Sequence, residues 1–214
     1  MKKRTLGSLI AAVALLTACS GGGLTGTQMD SEKAARFVNE KVAKNIDRDN
    51  WKIFEINWSE QEELENKLGF ILVSMVNSTG DCYTQPFIGQ IGWGAGELSP
   101  EHWYQHLDFA QVKGLDPTAI DPAEYLRQIE AAKAMIPEGY SFKSVKEYTL
   151  QETLPSRTEL ENGTGTYPQT TETSFTLCIT EDGKETVSSA GNTSIVYYEV
   201  GFHVLPDGTV EMDA

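Results

Sequence analysis

Two histidines four residues apart are the strongest candidates for chemistry in this 214-residue chain. In the stretch EHWYQHLD, His102 and His106 would share one face of a helix and could chelate a divalent metal such as zinc. Asp108 or Glu101 could add a carboxylate ligand, and His203 is the only other histidine in the sequence. The glutamate general base of the His-Glu-x-x-His pattern is missing, so the alternative is two half-exposed side chains at a helix boundary.

Other familiar catalytic patterns are absent from the sequence, which holds no Gly-x-Ser-x-Gly elbow and no Cys-x-x-Cys pair. The glycine-rich residues 92–96 resemble a phosphate loop only loosely, because no Gly-Lys-Ser/Thr follows them, and a turn is the simpler interpretation. We therefore predict a protein without cofactor or catalytic residues that binds a partner or assists assembly. The alternative is a metal-dependent hydrolase that uses His102 and His106, with zinc activating a bound water.

Three aromatic residues near this glycine-rich connector form a second candidate site. Trp93, Trp103 and Tyr104 could make a ledge that binds a glycan or a peptide, since large exposed aromatic surfaces often mark binding sites. The alternative is that they pack into the core, as large aromatic side chains usually do.

The start of the chain has the pattern of a secretory signal peptide. Lys2, Lys3 and Arg4 form a positive start, and an apolar run follows that is densest over residues 9–16. This run is shorter than the roughly 20 apolar residues that a membrane-spanning helix needs. A basic start, a short apolar core and small residues after it are typical of a secretory signal.

The signal ends in Leu16-Thr17-Ala18-Cys19, which resembles the lipobox of bacterial lipoproteins, Leu-x-Ala-Cys. In that family the cysteine thiol receives a diacylglycerol, the chain is cut just before the cysteine, and the new amine is acylated. The resemblance implies a signal peptide over residues 1–18 and attachment of fatty acids such as palmitate at Cys19. Several acyl chains hold a protein stably at a membrane, whereas one holds it only marginally. The alternative is an ordinary signal peptide with an incidental cysteine.

Residues 19–29 are rich in glycine, serine and threonine, and we expect them to form a flexible tether. In well-studied Gram-negative bacteria, an aspartate directly after the lipidated cysteine retains a lipoprotein at the inner membrane. Ser20 stands at that position here, so the resemblance implies the outer membrane, with the folded body facing the periplasm. Exposure on the cell surface stays open as an alternative.

Acidic residues dominate the charge, with 31 Asp plus Glu against 17 Lys plus Arg. Cleavage after Ala18 would remove three basic residues and no acid, leaving 14 basic against 31 acidic residues and a net charge of −17. Such a surface repels nucleic acid and anionic lipid headgroups, which excludes a nucleic-acid-binding function. The expected partners are the membrane, reached through the lipid anchor, and an unknown protein, peptide or glycan of the cell envelope.

Assigning Cys19 to the lipid leaves two cysteines, Cys82 and Cys178. Because the periplasm is oxidising, we predict that these two form a disulfide. The alternative is two separate, buried, reduced thiols, since sequence alone cannot test the Cα spacing that a disulfide demands.

Hydrophobic periodicity and turn residues divide the rest of the chain into helices and strands. The predicted elements are a helix over residues 31–47, strands over 51–58, 70–76 and 85–93, a short helix starting at Ser99-Pro100-Glu101, a second long helix capped by Asp121 and stopped by Pro137, a strand over 142–150, a polar excursion over 153–169, and strands over 175–179 and 196–204. Strict alternation in the last strand predicts a solvent-facing side made of Tyr197, Glu199 and His203.

Helix, strand, strand, strand occurs twice in this order. We therefore predict an α+β fold of two helix-plus-antiparallel-sheet units, residues 30–97 and 121–214, joined by a helical linker over residues 98–120. The order of elements resembles the tandem modules of secreted inhibitors and of PepSY-type periplasmic domains, although no motif is shared.

Short sequence matches raise the possibility that the two units arose by internal duplication. A shift of 91 residues aligns Arg36 with Arg127, and a shift of 96 aligns Glu63-Leu64-Glu65-Asn66 with Glu159-Leu160-Glu161-Asn162 and Cys82 with Cys178. The alternative is chance in an acidic chain, and the final strand has no clear counterpart in the first half.

Overall fold

The computed structural model describes residues 10–14, 26–102, 104, 106–189 and 192–213. The helices are α1 (Glu32–Asn45), α2 (Pro122–Lys133) and α3 (Arg157–Glu161), with short 3-10 turns at Gly89–Ile91 and Pro117–Ala119. The strands are β1 (Ile10–Ala14), β2 (Trp51–Glu60), β3 (Leu68–Asn77), β4 (Cys82–Ile88), β5 (Ser99–Pro100), β6 (Tyr140–Glu152), β7 (Thr171–Glu181), β8 (Thr186–Ser189), β9 (Asn192–Val204) and β10 (Val210–Met212). Within these residues, no helix has the length and hydrophobicity needed to cross a membrane.

The two long helices form where the apolar spacing predicts them. α1 buries one stripe made of Ala34, Ala35, Val38 and Val42. The Asp121 side chain caps α2 by accepting a hydrogen bond from the Ala123 amide at 2.9 Å, and Pro122 occupies the first turn, where no amide donor is needed. Both helices therefore start and bury residues as their sequences dictate.

The strands form one antiparallel sheet in the order β1-β9-β7-β6-β2-β3-β4-β5, and β8 and β10 also pair with β9. The fold is thus α+β, as predicted, and it has a single open, mostly antiparallel sheet with few helices. β2-β3-β4 form one meander and β6-β7-β9 form another, and the first strands of the two meanders, β2 and β6, pair at the centre. β9 therefore holds the place in the second meander that β4 holds in the first.

A row of aromatic side chains holds the two meanders together across the centre of the sheet. Trp58 on β2 stacks on Tyr148 of β6 at 4.6 Å between ring centroids, and the row continues through Phe175 on β7 at 5.6 Å and Phe202 on β9 at 5.3 Å. Tyr125 of α2 packs against Tyr148 at 4.8 Å. The largest core cluster, on the face that α1 and α2 cover, is built around this row.

A smaller apolar cluster lies apart from the largest core cluster, here called the helix-side core. It is built from residues of β2, β3 and β4 and of the loop that follows β5. Its buried members are Phe54, Val76, Cys82, Leu107 and Val112. Tyr104, Phe109, Leu154, Leu160 and Tyr167 pack around them. The polar excursion predicted over residues 153–169 thus helps cover a small core, and it contains helix α3, which begins with a capping box between Ser156 and Glu159.

The helix predicted to start at Ser99 is wrong, since Ser99 and Pro100 form β5, which pairs with β4. The next amide, of Glu101, donates to the carbonyl of Cys82 at 2.9 Å. A residue that precedes proline disfavours the helical region, so Ser99 is predisposed to this extended pairing. Among the described residues of the segment 98–120, the only helical turn is the 3-10 turn Pro117–Ala119.

The predicted Cys82–Cys178 disulfide is also wrong, because the structure holds both residues as buried free thiols. Cys82 lies on β4 and Cys178 on β7, with β6, β2 and β3 between them. Four strand spacings amount to roughly 19 Å, far beyond the ~4.4–6.8 Å between Cα atoms that a disulfide spans. The 96-residue shift that aligned these cysteines pairs strands that are not equivalent, because β4 corresponds to β9 rather than to β7.

Candidate functional site

The two outer ends of the sheet differ in what covers the backbone of their last strand. Along β4, the chain's own following residues take up the outer hydrogen-bonding groups. The Gly96 amide donates to the Pro86 carbonyl at 2.8 Å, and the Gln85 side-chain amide donates to the Gly96 carbonyl at 3.1 Å. Together with β5, these contacts seal the β4 end with residues that lie close in sequence.

At the opposite end, β9 has β7 along one side and two short strands along the other. On that outer side, β10 pairs with residues 202–204 and β1 pairs with residues 195–199. β1 consists of residues 10–14, which lie within the segment that the sequence predicts to be cleaved. Removal of residues 1–18 would leave the outer side of residues 195–199, here called the β9 edge, without a strand.

Two nearby hydrogen bonds show which residues of the β9 edge point their backbone N–H and C=O groups outward. The Val196 amide donates to the Glu185 carbonyl on the β8 side at 2.9 Å, whereas the Gly201 carbonyl accepts from the Asp213 amide on the β10 side at 3.0 Å. Because the N–H and C=O of one residue point to the same side and alternate along a strand, Ile195, Tyr197 and Glu199 point outward toward β1. The β9 edge therefore offers three donors and three acceptors.

The β9 edge carries none of the usual features that keep an edge strand from pairing, which are lysine, proline and a bulge. Its only charged residue, Glu199, is paired with Lys146 at 2.7 Å. Burial acts to lower the pKa of Lys146, but the hydrogen bond to Glu199 prevails and raises it. The remaining residues are β-branched or aromatic, which suits a surface for strand pairing.

The solvent-facing side predicted for the last strand is wrong for Tyr197, which is 1% exposed. Burial and then the neighbouring carboxylate of Glu63, at the tip of the β2–β3 hairpin, raise the pKa of the Tyr197 hydroxyl. His203, farther along the same side, is half-buried and bonds through Nδ1 to Asp213 at 2.8 Å. The β9 edge thus lies beside the tip of the β2–β3 hairpin.

The structure does not place His102 and His106 on one helix face. Both are exposed in an irregular loop, and His106 has a φ of 63°, which no helical turn contains. His106 lies near Asp81 in the β3–β4 turn, whose pKa is held low by hydrogen bonds from Thr79 and Asn77 and then by this histidine. The four-residue spacing does not put the two side chains on one helix face, because the preceding residues Ser99 and Pro100 form an extended strand along β4.

The remaining candidate ligands do not complete a metal site. Asp108 is engaged in its own turn, where it accepts hydrogen bonds from the Ala110 amide at 3.0 Å and the Gln111 side chain at 2.9 Å. His203 lies on β9, at the other end of the sheet from His106. In the described part of the chain, no three His, Cys, Asp or Glu side chains come close enough together to hold a metal ion.

The predicted aromatic ledge does not form from the two residues that the structure describes, and Trp103 lies outside them. Trp93 packs edge-on against Phe37 of α1 at 4.8 Å, next to the helix-side core. Tyr104 packs against Phe54 at 5.5 Å, in the smaller cluster. The two side chains therefore belong to different clusters and share no ledge.

An acidic pocket of about 320 Å³, which no sequence pattern predicts, lies beside the smaller cluster. Its lining residues are Phe54, Glu55, Ser74, Glu101, Tyr104, Ser156 and Arg157. Burial and then the charge of Glu101 raise the pKa of Glu55, while a hydrogen bond with Ser74 opposes this rise. A bulge between Ile53 and Glu55 disturbs the alternation of β2, so simple periodicity could not reveal this side chain. The guanidinium of Arg157, which pairs with Glu161 at 2.8 Å, also lines the pocket beside the two carboxylates.

Cys19, the predicted lipid attachment site, lies outside the described residues. Comparison of the chain with models of protein families, with curated proteins and with solved structures finds no match.

Proposed function

We propose that the chain is a lipid-anchored lipoprotein of the Gram-negative outer membrane whose body faces the periplasm and binds a partner without catalysing a reaction. The observation that carries the binding role is the β9 edge, which would lose its covering strand when the signal peptide is cut. The lipobox pattern supports the anchor, and the absence of catalytic motifs from the sequence supports a non-enzymatic role.

The attachment of the tether supports the same proposal. The Leu68 amide donates to the Thr27 carbonyl at 2.9 Å, and the Met29 amide donates to the Asn66 carbonyl at 2.8 Å, so the body begins near Thr27 at the β2–β3 hairpin. Thr27 lies eight positions after Cys19, which allows a reach of roughly 27 Å from the lipid at ~3.4 Å per position. Because Tyr197 lies beside this hairpin, the β9 edge is at the tethered end of the body.

The anchor is tested by the variant Cys19→Ala, with Cys82→Ala as the matched control. We expect Cys19→Ala to lose labelling by radioactive palmitate and to leave the outer-membrane fraction, while Cys82→Ala keeps both properties. A Cys19→Ala protein that still fractionates with the outer membrane would refute the anchor.

The binding role is tested by capture of partners from the protein's own envelope, with an unrelated lipoprotein as the control. We expect at least one envelope protein or peptide to be retained reproducibly by this chain and not by the control. If nothing is retained over the control, the binding role loses its support. Zinc analysis of the purified protein and of the His102→Ala/His106→Ala variant tests the hydrolase alternative, which no contact among the described residues favours.

We also infer that the two meanders with their helices arose by duplication. Each contains a helix followed by three antiparallel strands, with α3, β8 and β10 as additions in the second unit, and the two units meet through their first strands. The Glu63–Asn66 and Glu159–Asn162 matches lie in equivalent connections, between the first and second strands of each meander. An alignment of the two halves, element by element, should score above shuffled sequences of equal composition, and a score no better than shuffled would reject duplication.

A further inference from the structure

We propose that the β9 edge is a strand-addition site for an extended, uncharged, apolar peptide, and that residues 10–14 of the signal peptide occupy it until they are removed. Only the timing of this inference rests on the proposed function, because it requires cleavage of residues 1–18. The pairing itself does not depend on lipid attachment or on the compartment.

The structure shows what the edge accepts. β1 runs antiparallel to β9, with Ile10 opposite Glu199, Ala12 opposite Tyr197 and Ala14 opposite Ile195. Since Ile195, Tyr197 and Glu199 point outward, each of these three pairs exchanges two backbone hydrogen bonds. Such main-chain pairing is how sheet edges bind extended peptides, while the side chains set the preference for sequence.

The chemistry of the edge favours an uncharged, apolar occupant. Ile195, Val196 and Tyr198 are only half-buried with β1 in place, and they would contact the side chains of an added strand. The segment that occupies the edge, Ile-Ala-Ala-Val-Ala, carries no charge. A processed body with a net charge of −17 also repels acidic peptides, so small and β-branched apolar residues fit best.

A second copy of the chain is the main competitor for the edge, and charge disfavours it. Two processed bodies would each carry −17 and would have to bring their β9 strands within hydrogen-bonding distance. A short uncharged peptide meets no such repulsion. The edge therefore points to a foreign peptide segment rather than to a dimer.

An unpaired, apolar edge strand is prone to pair with other chains and to aggregate. While residues 10–14 are attached, the edge is covered. Cleavage then uncovers it at the stage when the body is tethered through its neighbouring hairpin.

Peptide binding to the processed protein in detergent tests the proposal directly. The probe is a fluorescent peptide of residues 10–14 flanked by Gly-Ser pairs. One control peptide is N-methylated at the residues corresponding to Ala12 and Ala14, whose amides face β9, and the other at those corresponding to Ala11 and Val13, whose amides face away. We expect the first methylated peptide to bind about tenfold more weakly or worse, because two hydrogen bonds are lost, and the second to bind like the unmodified probe.

Variants of the protein locate the site. Ile195→Lys places a charge on the β9 edge, and we expect it to weaken binding of the unmodified probe by about tenfold or more. Val187→Lys is the matched control, since Val187 is 54% exposed on the neighbouring strand β8 and lies off the edge. Circular dichroism checks that both variants are folded, and equal binding by both variants would overturn the location.

The full chain of 214 residues, made in a cell-free system without signal peptidase, tests the occupation by β1. We expect it to bind the probe at least tenfold more weakly than the processed protein, and to exchange the amide hydrogens of Ile195, Tyr197 and Glu199 more slowly. Equal binding by the two forms would refute the covering role, and equal binding of both methylated peptides would refute strand addition. A processed dimer with protected edge amides would show that a second copy is the occupant.

These outcomes separate the inference from the proposed function. A protein that is anchored through Cys19 but binds no probe keeps the proposed location and loses the strand-addition site. A protein that binds the probe with the expected methylation pattern but is not lipidated keeps the site and loses the proposed location.

Discussion

The β4 end and the β9 end of the sheet face the same physical problem, which is a row of unpaired backbone groups along an outer strand. The β4 end is closed by residues 95–101, which follow directly in sequence and stay with the chain for its lifetime. The β9 end is closed by β10 over residues 202–204 and by the distant residues 10–14 over residues 195–199. The β4 edge is closed by a local segment, whereas the β9 edge would change state if residues 1–18 were cleaved, as we propose.

The two ends share one core, so the largest effect we predict comes from its centre. Trp58→Ala removes a fully buried ring from the aromatic row and should cost about 3–5 kcal/mol in the free energy of unfolding. Both ends should lose stability together, because the row links β2 to β9. Urea denaturation followed by circular dichroism, with hydrogen exchange at β4 and β9, measures this.

The control for Trp58→Ala is Phe70→Ala on β3, whose side chain is 36% exposed. We expect this change to cost about 1–2 kcal/mol, less than Trp58→Ala, because a third of the side chain is already exposed and less buried surface is lost. If Trp58→Ala destabilised only one end of the sheet, the two meanders would be independent folding units. The stability of each edge would then have to be measured within its own meander.

The next largest effect should come from opening the β4 seal. A Cβ at Gly96 would lie 2.8 Å from a Pro86 side-chain carbon and 3.1 Å from its carbonyl oxygen, so Gly96→Val must push the sealing segment away. We expect a loss of about 1–3 kcal/mol in stability and faster hydrogen exchange in β4, with no change in β9. Thermal unfolding and site-resolved exchange provide the measurement.

Gly94→Val is the matched control two residues earlier, since nothing lies within 4 Å of a Cβ placed there. It should change stability by less than about 0.5 kcal/mol. An equal effect of both substitutions would mean that residues 95–101 do not seal β4.

A smaller predicted difference is the reactivity of the two thiols, one in the interior of the sheet and one at its β4 end. Burial is the main reason that the pKa of Cys82 is raised to about 11 and that of Cys178 to about 12, so neither reacts readily near neutral pH. We expect iodoacetamide to label Cys82 on the outer strand before Cys178 on an internal strand, and both to label fully in urea. Non-reducing mass mapping should find the two residues unlinked, and a Cys82–Cys178 linked peptide would contradict the structure.

Local sequence patterns predicted the elements well but not their long-range partners. The helix predicted over residues 31–47 is α1 (Glu32–Asn45), and the strand predicted over 196–204 lies within β9 (Asn192–Val204), because apolar spacing and capping residues act within one element. Ser99-Pro100 fits a helix start as well as an extended strand, and only the contact with β4, which lies farther back in the chain, decides between them.

The candidate site was harder to predict for the same physical reason. The alternation of the last strand predicts its two faces, but which of its edges is open depends on where β10 and residues 10–14 return to the sheet. The histidine spacing assumed a helix that did not form, and the cysteine pairing assumed a distance that no spacing in sequence can supply. The acidic pocket could not be predicted, because the bulge in β2 disturbs the alternation of the strand beside Glu55 and leaves no simple periodic pattern in the sequence.

The smallest effect we predict concerns how firmly β10 holds its part of β9. A hydrogen bond from His203 to Asp213, and then the charges of Asp213 and Glu211, raise the pKa of His203 above its usual 6.5. The folded state therefore binds this proton more tightly than the unfolded state, so the contribution to stability is complete below the unfolded pKa and is lost as the pH rises through the folded pKa. Because His203 is 44% exposed, the effect is small. We expect the wild type to melt about 1–2 °C above His203→Gln near pH 5.5 and at the same temperature near pH 9, measured by calorimetry. A difference between the two proteins that stays constant across this range would show that the ion pair does not secure β10 against β9.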